Sequence, residues 1–303
     1  MESPTSLGGW ARVWLAGARP RTLSAALAPV AAGTAAGAAG EVSLLRAALA
    51  LIVALALQVG VNYANDYSDG VRGADDVRTG PMRITASGLA RPGAVKAAAG
   101  LAFLVAALAG LALALLVTPW LLLVGGIAIA AAVLYTGGPA PYGYHGLGEV
   151  MVLIFFGFVA TAGSAFVQHE QISADAWWGA LTVGLFATAI LMVNNIRDIT
   201  TDAKVGKRTL AVRIGDKRAR QLYASAIVVA FVAIIPVVVH TPWAALAFAA
   251  IPLAVGPVRV VLSATRPPEF IPALGATGRL ELITALLWAA GMVIGTGVGI
   301  SGL

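Results

Sequence analysis

The sequence contains no cysteine and few charged residues. Of its 303 residues, 20 are Lys or Arg, 14 are Asp or Glu, and 3 are His. Without cysteine the chain cannot form a disulfide framework, a thiolate metal site or a Cys nucleophile. Its charged fraction is 11%, whereas an average soluble protein has about 25%. This deficit, together with 59% hydrophobic residues, excludes both an ordinary water-soluble fold and a disordered chain.

Hydrophobic residues are gathered in nine long stretches. A helix of about 20 largely apolar residues crosses a bilayer core about 30 Å thick. The sequence therefore predicts an all-α polytopic membrane protein with nine transmembrane helices and a single domain over residues 1–303. Residues 1–21, which include Trp10 and Trp14, are predicted to form an interfacial segment at the lipid headgroups. The nine stretches cover residues 22–39, 44–64, 94–117, 119–136, 149–167, 176–196, 221–239, 242–262 and 280–300.

The positive charges indicate how the helices are oriented. Cytoplasmic loops of membrane proteins carry an excess of Lys and Arg. With the N-terminus inside, 19 of the 20 Lys and Arg residues lie on the cytoplasmic side and only Arg46 lies outside. The predicted topology is therefore N-in and C-out, with loops 65–93 and 197–220 both cytoplasmic. The net charge of +6 belongs to the cytoplasmic segments, so it does not indicate a nucleic-acid partner.

Six of the 8 Asp residues lie at the beginnings of these two loops. Residues three and four apart share one face of a helix. Two sets of polar residues are therefore predicted to line the cytoplasmic ends of the second and sixth spans. The first set is Asn62, Asp66 and Asp69, followed by Asp75 and Asp76, and the second set is Asn194, Asp198 and Asp202, with Asn195 close by.

The two acidic segments resemble copies of one unit. Val61-Asn62-xxx-Asp66 matches Val193-Asn194-xxx-Asp198, each at the end of an apolar helix. We predict two four-helix pseudo-repeats plus a ninth helix around a central cavity, because substrate sites in membrane proteins commonly lie at repeat interfaces. The alternative is that these carboxylates are solvated charges that flank a helix and are balanced by Arg72, Arg78, Lys204 and Lys207.

A hard divalent cation would relieve the repulsion between clustered carboxylates. Carboxylate and amide oxygens, with no Cys and almost no His, select Mg²⁺ over zinc or copper. Because Mg²⁺ is usually held by one or two carboxylates plus substrate phosphates, the two clusters predict two Mg²⁺ ions bridged by a diphosphate. A diphosphate at a membrane interface indicates a lipid tail between the helices. Direct phosphate contacts are predicted from Arg72, Arg78, Arg83, Lys204, Lys207 and Arg208.

These motifs resemble the UbiA-type superfamily of intramembrane aromatic prenyltransferases. The resemblance rests on Asn62-xx-Asn65-Asp66-xx-Asp69-x5-Asp75, on Asp198-xxx-Asp202 and on the nine spans. The hydroxybenzoate branch usually has its third acid where this chain has Gly73. The chain looks most like the branch that prenylates 1,4-dihydroxy-2-naphthoate. That likeness lies in Arg19-Pro20-Arg21-Thr22-Leu23, Tyr135-Thr136-Gly137-Gly138-Pro139, Gly146-Leu147-Gly148-Glu149 and Gly206-Lys207-Arg208-Thr209-Leu210-Ala211-Val212-Arg213.

The resemblance implies a Mg²⁺-dependent transfer of a polyprenyl group from polyprenyl diphosphate to 1,4-dihydroxy-2-naphthoate. Diphosphate and CO₂ would be lost and demethylmenaquinol formed, at a cytoplasm-facing site in the plasma membrane. Two other acceptors of the same superfamily remain as alternatives, namely 4-hydroxybenzoate and homogentisate.

The resemblance also assigns roles to single residues. Tyr135 is expected to stabilise the cation or position the aromatic ring, although a structural Tyr in an interfacial belt is an alternative. Glu149 is either a helix N-terminal charge or a general base on the ring hydroxyl. The implied metal ligands are Asp66, Asp69, Asp75, Asp198 and Asp202. The implied substrate-binding residues are Asn62, Arg72, Arg78, Lys207, Arg208, Asn194, Asn195 and Arg21, with Arg19 and Arg21 as candidates for the naphthoate carboxylate.

Two other classes of protein also place acids at helix ends. CDP-alcohol phosphotransferases open their motif much as Asp69-Gly70-x-Arg72 does, but their acids lie in one compact segment. A cation-coupled transporter would use Asp and Asn as an ion site between inverted repeats. Here the two motif-bearing helices have the same predicted orientation, and the acids lie at one face of the membrane.

Overall fold

The computed structural model describes residues 7–38, 40–73, 82–297 and 299–301, and most of these residues are helical. Short 3₁₀ turns at Pro20–Thr22, Tyr142–His145 and Pro267–Glu269 connect some of the helices. In chain order the helices are α1 (Leu7–Ala18), α2 (Ser24–Ala36), α3 (Leu44–Val71), α4 (Pro92–Leu116), α5 (Trp120–Leu134), α6 (Gly148–His169), α7 (Ala174–Arg197), α8 (Ile199–Lys204), α9 (Leu210–Ile214), α10 (Asp216–His240), α11 (Pro242–Ser263) and α12 (Phe270–Thr296).

Seven helices of the described residues are long and apolar enough to cross a membrane, and they are α3, α4, α6, α7, α10, α11 and α12 with its preceding turn. The predicted stretches 22–39 and 119–136 form the shorter apolar helices α2 and α5, of 13 and 15 residues. Helix α3 continues to Val71, past the predicted end at residue 64. Asp66 and Asp69 therefore lie inside the last two turns of a helix and not in a loop.

Helix α7 is the central helix of the bundle. In its most apolar 18-residue window 72% of the residues are buried, against 17–44% in the other six long helices. It packs closely on α6, because Gly184 of α7 faces Gly157 of α6 and a Cβ on Gly157 would lie 2.9 Å from the Gly184 Cα atom. Gly157 belongs to a π-helical segment of α6, Leu153–Ala162, a rare geometry that is frequent at functional sites.

Close approach of α2 to α6 also depends on glycine. A Cβ atom on Gly33 would overlap the carbonyl oxygen of Thr161, and one on Gly37 would overlap that of Ala165. Gly33 lies in α2 and Gly37 caps its C-terminal end, in the small-xxx-small spacing that brings membrane helices together. This contact places α2 beside α6 along the wall of the cavity described below.

One end of the bundle is closed by polar contacts of the segment before α3. Strands β1 (Glu41–Ser43) and β2 (Gly299–Ser301) form a short parallel pair, a departure from the purely α prediction that joins the α2–α3 connection to the region after α12. At the same end, Arg46 Nη1 donates to the carbonyl oxygens of Val167 (3.0 Å) and Gln168 (3.2 Å), and Arg46 Nη2 donates to that of Leu116 (3.4 Å). The one basic residue predicted outside thus caps the ends of α4 and α6.

Candidate active site

A cavity of about 820 Å³ lies among α2, α3, α4, α5, α6 and α7. Most of its wall is apolar, with side chains such as Val30, Leu113, Leu121 and Phe156. One end is polar, and there both predicted clusters contribute to the same wall. The polar residues from α3 are Gln58, Asn62, Asn65 and Asp69, and those at the end of α7 are Asn194, Asn195, Arg197 and Asp198.

Tyr144 links the two acidic clusters at this polar end. Its hydroxyl donates to Asp69 Oδ1 at 2.8 Å, and its ring lies under two cations, with Lys207 Nζ 5.3 Å and Arg72 Cζ 5.7 Å from the ring centroid. Lys207 Nζ also lies 3.7 Å from Asp202 Oδ1. Burial and the Asp69 carboxylate raise the pKa of the Tyr144 phenol. The phenol therefore stays protonated at neutral pH and remains a donor to Asp69.

Arg208 joins the second loop to the same residue. Its backbone N–H donates to the Tyr144 carbonyl oxygen at 2.9 Å, and its own carbonyl accepts a hydrogen bond from Arg213 Nε. The backbone of Arg208 thus connects the 197–220 loop to the 3₁₀ turn that carries Tyr144.

Asp66 has a different environment from Asp69. Its carboxylate is fully buried, and its two oxygens accept hydrogen bonds from the backbone amides of Ile84 (3.1 Å) and Thr85 (2.8 Å). The side chain thus anchors the returning segment against α3, whereas Asp69 lines the cavity.

Asp198 forms a forked ion pair with its neighbour in sequence. Arg197 Nε donates to Asp198 Oδ1 at 2.7 Å, and Arg197 Nη2 donates to Oδ2 at 2.8 Å. Both side chains are buried and both residues line the cavity. A guanidinium and a carboxylate are therefore presented together, which is the pairing that best matches the planar fork of Arg.

Asn62 attaches the turn before α2 to α3. Its Nδ2 donates to the Ala18 carbonyl at 2.8 Å and to Thr22 Oγ1 at 3.1 Å, and Gln58 Nε2 donates to the same hydroxyl. The enclosed turn holds Arg19 in the left-handed region, at φ 53°, where a non-glycine residue is strained. Arg19 and Arg21 both line the cavity as a result.

Arg72 holds the segment that follows α5. Its guanidinium donates to the carbonyl oxygens of Thr136, at 2.7 Å, and Gly138. Asn65 Oδ1 accepts a hydrogen bond from Thr136 Oγ1 at 2.7 Å, and Ser68 Oγ donates to the Thr136 carbonyl. The end of α3 therefore fixes the chain next to Tyr135, whose side chain lines the cavity.

Glu149, at the start of α6, contacts α7. Asn195 Nδ2 donates to Glu149 Oε1 at 2.8 Å, and both residues are buried. Tyr135 lies beside this pair, since a Cβ on Gly148 would be 3.5 Å from the Tyr135 hydroxyl oxygen. The phenol ring of Tyr135 packs edge-on against Tyr142, with ring centroids 5.4 Å apart. Burial raises the pKa of Tyr142, which lies in the α5–α6 connection, to about 12.

The described residues fit a magnesium ion that is only partly held by protein. The oxygens at the polar end are carboxylates and side-chain amides, which are hard ligands. Among the described residues, no group of three or more His, Asp or Glu comes close enough together to enclose a metal. Mg²⁺ is normally held by one or two carboxylates plus phosphate oxygens and water, so this donor set suits an ion shared with a substrate. Asp75 and Arg78 lie outside the described residues.

Two residues of the site were not singled out in the sequence. Tyr144 lies in a loop with Tyr142 and His145, and nothing in its spacing distinguishes it from an interfacial Tyr. Arg197 was counted only as a cytoplasmic cation, although its position directly before Asp198 was a usable signal. Tyr144, in contrast, depends on the folded chain for its partners.

Seven apolar helices of membrane-spanning length, around a cavity with carboxylates and cations at one end, define the class of multi-pass membrane proteins with an amphipathic internal site. The UbiA prenyltransferase family model matches residues 26–269 of the sequence. The chain therefore belongs to the UbiA prenyltransferase family and not to the phosphotransferase or transporter classes considered above.

Individual relatives and solved structures agree with this family. The chain is 48% identical over 283 residues to the 1,4-dihydroxy-2-naphthoate octaprenyltransferase of Mycobacterium tuberculosis, across 93% of this chain and 97% of that protein. It is 37% identical over 294 residues to the enzyme of the same name from Escherichia coli, across 93% and 96%. Its fold is similar to a UbiA homologue from Archaeoglobus fulgidus bound to GPP and Mg²⁺, with a TM-score of 0.65, 14% identity, and 92% and 99% of the two chains covered.

Proposed function

We propose that this protein transfers a polyprenyl group from polyprenyl diphosphate to 1,4-dihydroxy-2-naphthoate in a Mg²⁺-dependent reaction. Diphosphate and CO₂ are released and demethylmenaquinol is formed. The observation that carries the proposal is a single cavity with a charged end, formed by residues such as Asp69, Asp198 and Lys207, and a long apolar wall. The names of relatives with 48% and 37% identity support the choice of acceptor.

The polar end is the proposed site for the diphosphate. Asp69, Asp198 and Asp202 would hold Mg²⁺, which supplies positive charge that stabilises the leaving diphosphate. Lys207 and Arg197 place fixed cations beside these carboxylates. Asn194 adds an amide to the same wall. From the sequence motif we also propose Asp75 as a metal ligand and Arg78 as a diphosphate contact.

The apolar wall is the proposed site for the prenyl chain. Leu113, Leu121 and Phe156 offer no hydrogen bond, so they favour a hydrocarbon tail. They also exclude water, which would otherwise capture an allylic cation before the ring attacks it.

The acceptor is proposed to bind between these two regions. Arg19 and Arg21, held at the cavity by the Asn62 contacts, supply guanidinium groups suited to the naphthoate carboxylate. Tyr135 presents an aromatic ring next to the ring of the acceptor.

We further propose that the polar end faces the cytoplasm and that the protein lies in the plasma membrane. The support is the distribution of Lys and Arg, because the topology predicted from the sequence puts only Arg46 on the outer side. Single introduced cysteines test this orientation, because the natural chain has none. They are labelled in intact cells with a membrane-impermeant and with a membrane-permeant thiol reagent.

The reaction is tested with purified protein, labelled polyprenyl diphosphate, 1,4-dihydroxy-2-naphthoate and Mg²⁺. We expect a lipid-soluble prenylated product that disappears with EDTA and with Asp69→Asn. Asp216→Asn is the matched control, since Asp216 pairs with Arg220 away from the cavity. A higher kcat/KM for 4-hydroxybenzoate than for the naphthoate would refute the acceptor, and product formation in EDTA would refute the metal dependence.

A further inference from the structure

Glu149 and Asn195 form a buried pair that the proposed reaction leaves without a role. Glu149 is 5% exposed and Asn195 is 6% exposed. They belong to α6 and α7 and lie 46 positions apart in the sequence, so the contact depends on the close packing of these two helices. Asn195 lines the cavity, whereas Glu149 lies behind it.

The contact fixes which end of the Asn195 amide faces the cavity. A carboxylate oxygen accepts hydrogen bonds, so it selects the NH₂ end of an amide. Asn195 Nδ2 donates to Glu149 Oε1 at 2.8 Å. The carbonyl oxygen, Oδ1, is therefore the other end of the planar amide and points away from Glu149 Oε1. None of the described residues donates a hydrogen bond to it. The Asn195 carbonyl oxygen is thus an open hydrogen-bond acceptor in the cavity wall. The contact between Asn195 and Glu149 fixes its direction.

The surroundings of this acceptor suit an aromatic ring with a hydroxyl group. The lining residues include Leu191, one helical turn before Asn195, and Tyr135, and the side chains of both lie close to Gly148, which precedes Glu149. None of the Lys or Arg residues that the structure describes forms an ion pair with Glu149, in contrast to Asp198 and Asp202. The carbonyl oxygen can only accept a hydrogen bond, so a neutral O–H group suits it, whereas an ionised diphosphate offers no donor.

We propose that Glu149 is a positioning residue for the acceptor site. It orients Asn195 so that the Asn195 carbonyl oxygen accepts a hydrogen bond from a ring hydroxyl of the aromatic acceptor. This inference rests on the proposed function, because it requires a hydroxylated aromatic substrate. Asn195 contacts the substrate, and Glu149 acts only through Asn195.

The first test uses ligands that differ by one hydroxyl. Binding of 1,4-dihydroxy-2-naphthoate, 1-hydroxy-2-naphthoate and 4-hydroxy-2-naphthoate is measured by competition in the transfer assay. The wild type should prefer the dihydroxy compound over one of the monohydroxy compounds by about threefold to tenfold, as one neutral hydrogen bond predicts. Asn195→Leu and Glu149→Leu should both abolish that preference and leave the KM for polyprenyl diphosphate unchanged.

The second test reverses the polarity of the pair. Asn195→Asp alone places two carboxylates together and should impair acceptor binding. In Glu149→Gln/Asn195→Asp the introduced amide donates to the introduced carboxylate, whose second oxygen still faces the cavity. The double variant should therefore recover acceptor discrimination that Asn195→Asp loses. Thr188→Val is the matched control, because Thr188 bonds only to backbone carbonyls in the same helix pair.

Three results would overturn the inference. One is discrimination between the ligands that survives in Asn195→Leu. Another is that Asn195→Leu needs a higher Mg²⁺ concentration for half-maximal activity while its KM for the acceptor stays unchanged. That result would make the Asn195 carbonyl oxygen a metal ligand. The third is a loss of thermal stability without any change in ligand preference, as a purely structural contact predicts. If the wild type forms no prenylated naphthoate, the proposed function itself fails, and that result is read before any variant is compared.

Discussion

Replacement of Tyr144 by Phe removes one hydroxyl from the centre of the polar end. The ring stays in place, so its contacts with Lys207 and Arg72 remain. What is lost is the 2.8 Å hydrogen bond to Asp69, a carboxylate that is only 3% exposed. A hydrogen bond to a charged group contributes about 1.5–3 kcal/mol. Water cannot easily take the place of the phenol at a site so well buried.

This range sets the size of the expected effect. If all of the lost free energy reached the transition state, kcat/KM would fall by about 10- to 150-fold, since about 1.4 kcal/mol corresponds to a factor of ten. We expect a fall of about tenfold for Tyr144→Phe, because the Asp69 carboxylate remains at the cavity wall. Tyr144→Leu should fall a further fivefold or so, since two cation–π contacts of about 0.5–1 kcal/mol each are lost as well.

The measurement is kcat/KM for polyprenyl diphosphate, taken at saturating acceptor and over a range of Mg²⁺ concentrations. Tyr142→Phe is the matched control: it lies in the same 3₁₀ turn, but its hydroxyl donates to the Ala131 carbonyl at 2.9 Å and not to a carboxylate. Wild-type kinetics for Tyr144→Phe, or an equal loss for Tyr142→Phe, would refute the reasoning that Tyr144 holds Asp69 for the diphosphate.

Three further predictions concern stability. Arg46→Leu should lower the free energy of unfolding by about 1–3 kcal/mol because helix-end carbonyls lose their donor, with Arg46→Lys losing less; equal thermal stability of the two would contradict this. Gly33→Ala should give little folded protein because its Cβ overlaps the Thr161 carbonyl, whereas Gly100→Ala, with open space around its Cβ, should fold normally in detergent. Asp66→Asn should cost about 1.5–3 kcal/mol in thermal unfolding without Mg²⁺, since one of two backbone amides loses its acceptor; an unchanged melting temperature would show that the anchor is unimportant.

The helices were largely predictable because burial in a bilayer requires long apolar runs. All nine predicted stretches contain helix, seven of them long enough to span. The predicted and observed helices differ mainly in where they begin and end. Helix α3 extends to Val71 because the helix continues through polar residues whose side chains find partners in neighbouring segments, as Ser68 and Arg72 do with Thr136. Hydropathy detects lipid contact and has no signal for such a helix end.

The helix positions of several candidate site residues were predictable from the sequence, but their contacts were not. Spacing alone put Asn62 and Asp69 on one helix face, and both residues line the cavity. The partners of Glu149 and Asp66 were out of reach, because each contact joins segments far apart in the sequence. Tyr144 was missed for the same reason, since Asp69 and Lys207, which contact it, lie in segments far from it in the sequence.

The acidic motifs therefore contain residues of two kinds, and this affects how their variants are interpreted. Both carboxylate oxygens of Asp66 accept hydrogen bonds from backbone amides. Asp69 lines the cavity and accepts only one hydrogen bond from the described residues. Substitution of either residue should abolish transfer, so loss of activity cannot by itself identify a metal ligand. Stability in the absence of substrate separates them: Asp66→Asn should unfold at lower temperature, whereas Asp69→Asn should keep the stability of the wild type and lose only the protection given by Mg²⁺ and diphosphate. If both variants melted early, the division between anchor and ligand would be wrong.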